Sequence, residues 1–458
     1  MSINKNTIYN LLPHKLKELA AGIYSKKMMR FRKNETSPKR INKAAEREKM
    51  TFVEWQQYQQ NELEMVLERA ITNVPYYRNY WNKRGIENNE WKILTNWPIL
   101  TKDEVRENNH LFLADDCKPN LMYTEYTSGT SGTPLKMFWS KETTLEYYSI
   151  YERRIKNWHQ VNWDMKYLML GGRIVIPTTQ IKPPFWVRNK YMNQLYMSSY
   201  HLSEKNIDAY IEAINKYKPE YMLGYASSMY SLALLVKQFN KKLPKLKCAI
   251  SNAEPLLDHQ RELIEEVFNC KMVNTYGMSE LVAGASTYDD INEYVIWPEV
   301  GKVEILDFES DRVLKDGEVG RIVCTSLLNK DMPLIRYETG DSGSILKSTT
   351  GINHYKINEL TGRIDDLVIT KDGRRIGRLD PVFKKDFNIR EAQIIQNTLD
   401  KFTIKVVPTE NYNKQNELEL AESLMERVGK CDITFEQVDS IPRTNTGKFK
   451  AVISHVKK

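Results

Sequence analysis

Apolar residues recur along this chain with two different periods. Phe52, Trp55, Leu63, Val66, Leu67 and Ala70 share one broad face at helical spacing. They predict a helix over 51–70, which Val74-Pro75 stops because proline has no N–H for the next turn. Leu16, Leu19, Ala20, Ile23 and Tyr24 stand at i, i+3, i+4, i+7 and i+8 and predict a second amphipathic helix from about His14. Short apolar runs in the middle of the chain read as strands: YLML (167–170), RIVI (173–176), YMLGY (221–225), CAISNA (248–253) and KMVNTYG (271–277). Helical patterns at 203–217, 227–240 and 256–268 separate them, an alternation that predicts parallel sheet flanked by helices.

From about Glu299 the texture changes to short β-rich runs, VGKVEILDF, GRIVCTS and GSILKS, divided by Gly and Asp turns. After Gly362 come a hairpin-like DLVITKDGRRIG, the alternating KFTIKVVP, an amphipathic helix over 415–428 and DITFEQV. The predicted class is therefore α/β. A large domain (51–362) has parallel-rich sheets flanked by helices and a small β subdomain (about 299–360), followed by a small α+β domain (363–458). Residues 1–50 form an arm of their own. No repeat or low-complexity tract points to a solenoid or a disordered chain.

Composition narrows the class. The chain has 458 residues, 41% hydrophobic and 28% charged, a globular balance too long for a single small module. No apolar run approaches the ~20 residues a membrane span needs, and residues 1–30 are too polar for a signal segment, so a cytoplasmic location is expected. The five cysteines are scattered, with no C-x-x-C pair, and indicate neither a disulfide framework nor a structural zinc site. His259 and Cys270 are two metal-ligand types, short of a closed set.

The net charge of +8 is concentrated in residues 1–50, which hold 13 Lys+Arg against 4 Asp+Glu and leave the rest almost neutral. The amphipathic helix there, with Lys15, Lys17, Lys26 and Lys27 beside its apolar stripe, suits two placements. It can dock on the protein's own body with a solvated basic face, or lie as a peripheral contact on an anionic membrane. The first is the commoner outcome of the pattern. Nucleic acid is not an expected partner, since no basic stripe interleaved with aromatics follows.

The stretch YTSGTSGTPLK (126–136) carries the most specific chemistry. Glycines in a tight turn let backbone N–H groups converge, hydroxyls add donors, and Lys136 adds a cation, which together suit phosphate oxygens. No Walker loop occurs anywhere. The stretch resembles the phosphate-binding loop of the adenylate-forming superfamily of acyl-CoA synthetases, peptide-synthetase adenylation domains and luciferases. Five further signatures follow in that superfamily's order: SNAEP (251–255), NTYGMSE (274–280), ETGD (338–341), GRIDD (362–366) and PRTNTGK (442–448). The flanks VPYYRNYW and WPILTKDEVREN resemble its phenylacetate-CoA ligase-like branch, which includes ligase-like proteins encoded with capsule and exopolysaccharide genes.

The resemblance implies a site. Thr127, Ser128, Gly129, Thr130, Ser131, Gly132, Thr133 and Lys136 would hold the phosphates of ATP. Tyr276 and Gly277, with the backbone at Ala253 and Glu254, would border adenine. Asp341 would accept from the ribose hydroxyls, Arg363 would reach ribose and phosphate, and Glu280 would bind Mg²⁺. Lys448 would bridge the incoming carboxylate and the α-phosphate, offsetting the repulsion of two anions. Asp365 occupies the hinge about which the small domain rotates between adenylation and transfer.

Two departures stand out: Ser131 replaces the commoner Thr, and Glu338 stands before T-G-D where Arg is frequent. His201, Tyr225 and Arg173 are the candidates for lining an acid pocket. The expected activity is ATP-dependent activation of an aromatic or small organic acid to an acyl-adenylate, with CoA as cosubstrate. The alternatives are transfer to an amine or hydroxyl in capsular or exopolysaccharide synthesis, and a non-catalytic nucleotide-binding relative.

Overall fold

A computed structural model describes residues 9–85, 89–127, 135–252, 256, 258–288, 291–307, 310–361, 368–373, 375–376, 379, 382, 387–439, 441 and 452–456. The hairpin β1 (Tyr123–Tyr126) and β2 (Lys136–Trp139) is antiparallel, with Tyr126 opposite Lys136. Behind it lies a 12-stranded sheet. Its parallel part is β3 (Tyr167–Gly171), β5 (Gln194–Ser198), β6 (Tyr221–Gly224), β7 (Cys248–Ser251) and β8 (Lys271–Gly277), with β4 (Trp186–Asn189) antiparallel at the edge. The helices Ile207–Tyr217, Ala226–Gln238 and Asp258–Phe268 are the crossovers that such parallel pairs require. Their apolar faces join Leu168, Leu170, Met222 and Ala249 in one buried cluster.

The β-rich stretch does not stand apart. β9 (Gly284–Tyr288), β10 (Ile291–Ile296), β11 (Gly301–Leu306), β12 (Gly320–Ser326), β13 (Tyr337–Lys347) and β14 (Tyr355–Thr361) extend the same sheet antiparallel from β8. The helix expected over 51–70 runs Phe52–Asn73 and begins in a capping box between Thr51 and Glu54, which satisfies two backbone donors at once.

Beyond Thr361 the described residues form a two-stranded hairpin, β15 (Val368–Ile369) with β16 (Arg375–Ile376). A four-stranded sheet follows, made of β17 (Ile389–Gln396), β18 (Lys401–Pro408), β19 (Asp432–Gln437) and β20 (Val452–Ser454), with the helix Lys414–Val428. The buried cluster of this unit takes in Tyr200 and the half-buried Ile174 from the large domain.

Two expectations need correction. RIVI (173–176) is not a strand. Its apolar side chains go to different places, Ile174 to the C-terminal cluster and Val175 and Ile176 to a patch with Val187, so no alternating face forms. β5, the neighbour β3 needs, lies at 194–198 instead. The N-terminal helix, His14–Arg32, does dock on the body, yet with the opposite face inward. Lys17 and Ser25 are buried while Leu16, Leu19, Ile23 and Tyr24 are exposed.

Candidate functional site

Of the residues singled out for nucleotide chemistry, Tyr276, Gly277, Glu280 and Asp341 lie at the end of β8, on the segment after it and on β13. The loop Ser128, Gly129, Thr130, Ser131, Gly132 and Thr133 lies outside the described residues, but its base is fixed. Thr127 N–H donates to Leu135 O at 2.9 Å, and Leu135 N–H donates to Thr127 Oγ1 at 3.1 Å, extending the ladder of β1 and β2 by one pair. Lys136 opens β2; its backbone carbonyl accepts from Asn109 Nδ2 at 2.8 Å, and its ammonium lies 4.6 Å from the centre of the Phe138 ring.

Tyr276 and Gly277 finish β8. Tyr276 Oη donates to Asp341 Oδ2 at 2.9 Å, joining the expected adenine-bordering residue to the expected ribose acceptor. Burial first, then the neighbouring Asp341 carboxylate, pushes the Tyr276 phenol well above its ordinary value, so it stays a donor. Gly277 is exposed, and among the described residues a Cβ there would meet Ala283 O at 3.8 Å and Tyr147 Oη at 4.0 Å, ordinary contact distances. Asp341 follows Gly340, whose φ of 77° lies within β13 where its register against β12 shifts, a backbone that a side chain would strain.

Glu280 is buried, 5% exposed, in a turn rather than at a helix start. Its Oε1 accepts from Lys102 Nζ at 3.1 Å and from Tyr337 Oη at 3.0 Å. Burial alone would raise this carboxyl; Lys102 and the two hydrogen bonds outweigh it and hold it below the ordinary range, so Glu280 is an anion. Lys102 was not expected from its residue type, although it lies in the quoted WPILTKDEVREN flank. It is delivered by main-chain pairing: Leu100 N–H donates to Arg336 O and Glu338 N–H to Leu100 O, both at 2.9 Å, and the helix Lys102–Glu107 starts at once, capped by Thr101.

A buried anionic oxygen donor of this kind fits Mg²⁺, which takes one or two carboxylates and fills its remaining positions with phosphate oxygens and water. Among the described residues no group of three His, Cys, Asp or Glu is placed for a metal, so a bound nucleotide would have to supply the rest. The side chain of His259, the residue weighed with Cys270 as a pair of metal-ligand types, lies outside the described residues. Cys270 is a thiol that burial pushes up to about 12.

A model of the AMP-binding enzyme family matches residues 86–327, spanning the hairpin, β8 and Glu280. The chain belongs to the AMP-binding enzyme family. Residues 368–455 match the CapK C-terminal domain. Protein CapK of Staphylococcus aureus is 28% identical over 401 residues, covering 84% of this chain and 86% of CapK. Phenylacetate-coenzyme A ligase of Aromatoleum evansii is 23% identical over 428 residues, 89% of this chain and 96% of the ligase. A 2-hydroxyisobutyryl-CoA ligase structure shares the fold, with a TM-score of 0.56 and 17% identity over 89% of this chain and 91% of that one. The phenylacetate-CoA ligase-like branch indicated by the motifs is thus supported by its relatives.

The remaining candidates are distributed unevenly in this AMP-binding enzyme. Ala253, Glu254, Arg363, Asp365 and Lys448 lie outside the described residues. Tyr225 N–H donates to Leu170 O at 2.8 Å, and its ring lies against Gly172 so closely that a Cβ there would come within 2.7 Å of it. Arg173 follows in the same loop but is exposed, its guanidinium 5.5 Å from the centre of the Tyr24 ring, as a surface arginine would be. His201 is packed rather than open. Its ring stacks on Phe185 at 4.8 Å, and Nδ1 is 2.8 Å from Ser198 Oγ. The departure at Glu338 has a local partner, Arg321, at 2.9 Å, which answers the reversed charge within the sheet.

Proposed function

We propose that the chain activates a carboxylic acid with ATP·Mg²⁺ and passes the acyl group to the thiol of CoA. A carboxylate oxygen attacks the α-phosphorus, pyrophosphate leaves, and an acyl-adenylate results; the thiol sulfur then attacks the acyl carbon, loses its proton, and AMP leaves. In this reading Tyr276 orients Asp341 for the ribose hydroxyls, and Glu280 would hold Mg²⁺, which would offset the negative charge of the phosphates. The loop 128–133 and Lys136 hold the phosphates. Lys448 and Arg363 come from the C-terminal side, and Asp365 is the pivot that swings Lys448 out before thiol entry. Tyr225, in its contact with Gly172, borders the acid, which is aromatic or a small organic acid. The reaction takes place in the cytoplasm.

What supports the reading is the Tyr276–Asp341 hydrogen bond together with the buried, anionic Glu280 held by Tyr337 and Lys102, within a chain of this family. Pyrophosphate release measured over a panel of carboxylic acids, with and without CoA, tests it. Acid-dependent release with thioester formation is expected, and no acid-dependent release would leave only a nucleotide-binding relative.

A second reading is favoured by the match of 368–455 to the CapK C-terminal domain. Adenylation is kept and the acceptor becomes an amine or hydroxyl of a capsular or exopolysaccharide precursor. Release of pyrophosphate without thioester, and acyl transfer to such an acceptor, would select it.

A further inference from the structure

The N-terminal helix His14–Arg32 is mounted inside out. An amphipathic helix ordinarily buries its apolar stripe, because that removes the most hydrocarbon from water. Here Leu16, Leu19 and Ile23 are 46%, 59% and 65% exposed, and Leu11 just before the helix is 81% exposed. Lys15, Lys26, Lys27 and Arg30 are exposed on the same side, interleaved with them at helical spacing.

The orientation is specified by polar bonds that a rotated helix would lose. Ser25 Oγ accepts from Asn189 Nδ2 at 2.6 Å, and Glu18 Oε1 accepts from the Arg188 N–H at 3.2 Å. Arg32 donates to Tyr123 Oη at 2.9 Å, with its guanidinium 4.3 Å from the centre of the Tyr148 ring. Lys17, on the inward face, donates to Asn10 O at 2.9 Å. The helix is therefore locked to the body by its polar side, and the apolar side is presented outward with a basic surround.

We propose that this face docks on the surface of an anionic lipid bilayer, with the helix lying in the interface plane. Apolar side chains that enter the acyl boundary and cations that meet headgroup phosphates are the two contributions such binding combines. No described helix is long and apolar enough to cross a membrane, so the contact is peripheral. A second copy of the chain is a poorer occupant, because a two-fold contact would bring Lys15, Lys26, Lys27 and Arg30 against the same cations. The helix also carries Tyr24 beneath Arg173, whose loop adjoins Tyr225, so docking would hold the candidate acid pocket near the lipid. The proposal does not depend on the reaction assigned above.

Co-sedimentation of the full chain with vesicles tests it, using phosphatidylcholine alone and equal parts phosphatidylcholine and phosphatidylglycerol. Binding to the anionic vesicles, weakened by salt, is expected. Leu16→Ser, Leu19→Ser and Ile23→Ser together should lower partitioning by roughly a hundredfold, at about fivefold per half-exposed side chain. Lys26→Gln with Lys27→Gln should lower it by about thirtyfold on the anionic vesicles. Both variants change exposed positions, and circular dichroism melting should confirm unchanged folding. No binding by the wild-type chain, or binding that survives the triple serine variant, would overturn the proposal. A dimer seen by light scattering, lost in the triple variant while vesicles stay unbound, would give the face to a second copy instead.

Discussion

Replacing Lys102 by methionine keeps the length of the side chain and removes the only cation given to Glu280 among the described ion pairs. At 3.1 Å the pair has a gross Coulomb attraction of about 5 kcal/mol at an effective dielectric of 20, much of it cancelled by desolvation. A second bound is set by protonation. With Lys102 gone, burial raises the carboxyl, and the protein can escape an unpaired charge by taking up a proton. That escape costs about 1.36 kcal/mol for each pH unit above the ordinary value of 4.5. The loss of stability in Lys102→Met should therefore be larger at pH 7 than at pH 5, the protonation cost alone differing by about 2.7 kcal/mol between the two.

The sign follows from the same shift. In the wild type the depressed Glu280 contributes stability above its unfolded value that is lost as pH falls through the folded one. In the variant the raised carboxyl reverses the slope. Urea unfolding at the two pH values, with Lys102→Arg as the charge-keeping control, measures it. An equal loss at both pH values, or a loss in the arginine control as large as in the methionine variant, would refute the account of how Glu280 is kept ionised.

Four further outcomes are expected. Tyr276→Phe removes the hydrogen bond to Asp341 and should raise the KM for ATP about tenfold in pyrophosphate exchange, the size of a hydrogen bond to a charged group, with little change in the KM for the acid. Glu338→Arg sets two arginines together and should cost about 1 kcal/mol, recovered when Arg321→Glu is added; denaturation midpoints of the single and double variants decide this. Burial holds His354 down at about 4, so it is neutral when folded, and stability should drop by up to about 3 kcal/mol as pH falls from 6.5 to 4; His354→Gln should flatten that slope in thermal melts. Lys448→Ala should abolish acid-dependent pyrophosphate release while sparing thioester formation from supplied acyl-adenylate, and Asp365→Pro should do the reverse; equal loss of both half-reactions in either variant contradicts the two-face mechanism.

The crossover helices were legible because their periodicity repeats over several turns, as at 207–217 and 258–268, and because the strands between them are continuous apolar runs. Tyr276 and Asp341 could be named from their motifs, but their bond could not: 65 positions separate them, and β8 and β13 stand four strands apart in the sheet order, so no local pattern shows that they meet. Lys102 was hidden for the same reason, since nothing local to T-K-D says that Leu100 will pair with Tyr337. RIVI misled because its four residues have strand propensity but serve separate neighbours, so tertiary demand overrode it. The N-terminal helix was placed correctly along the chain and facing the wrong way, because periodicity identifies a stripe without saying which medium covers it.

The core of the C-terminal unit is not wholly its own. Tyr200 is 2% exposed, in a cluster with Val368, Leu379 and Phe387, and Ile174 packs against the same group. A chain cut before Val368 would strip the cover from both and leave a sticky scar on the remaining body, so the two units are poor candidates for separate expression. The swing proposed for the C-terminal unit would have to peel away this shared seam and close it again, which would make the seam a latch on that motion.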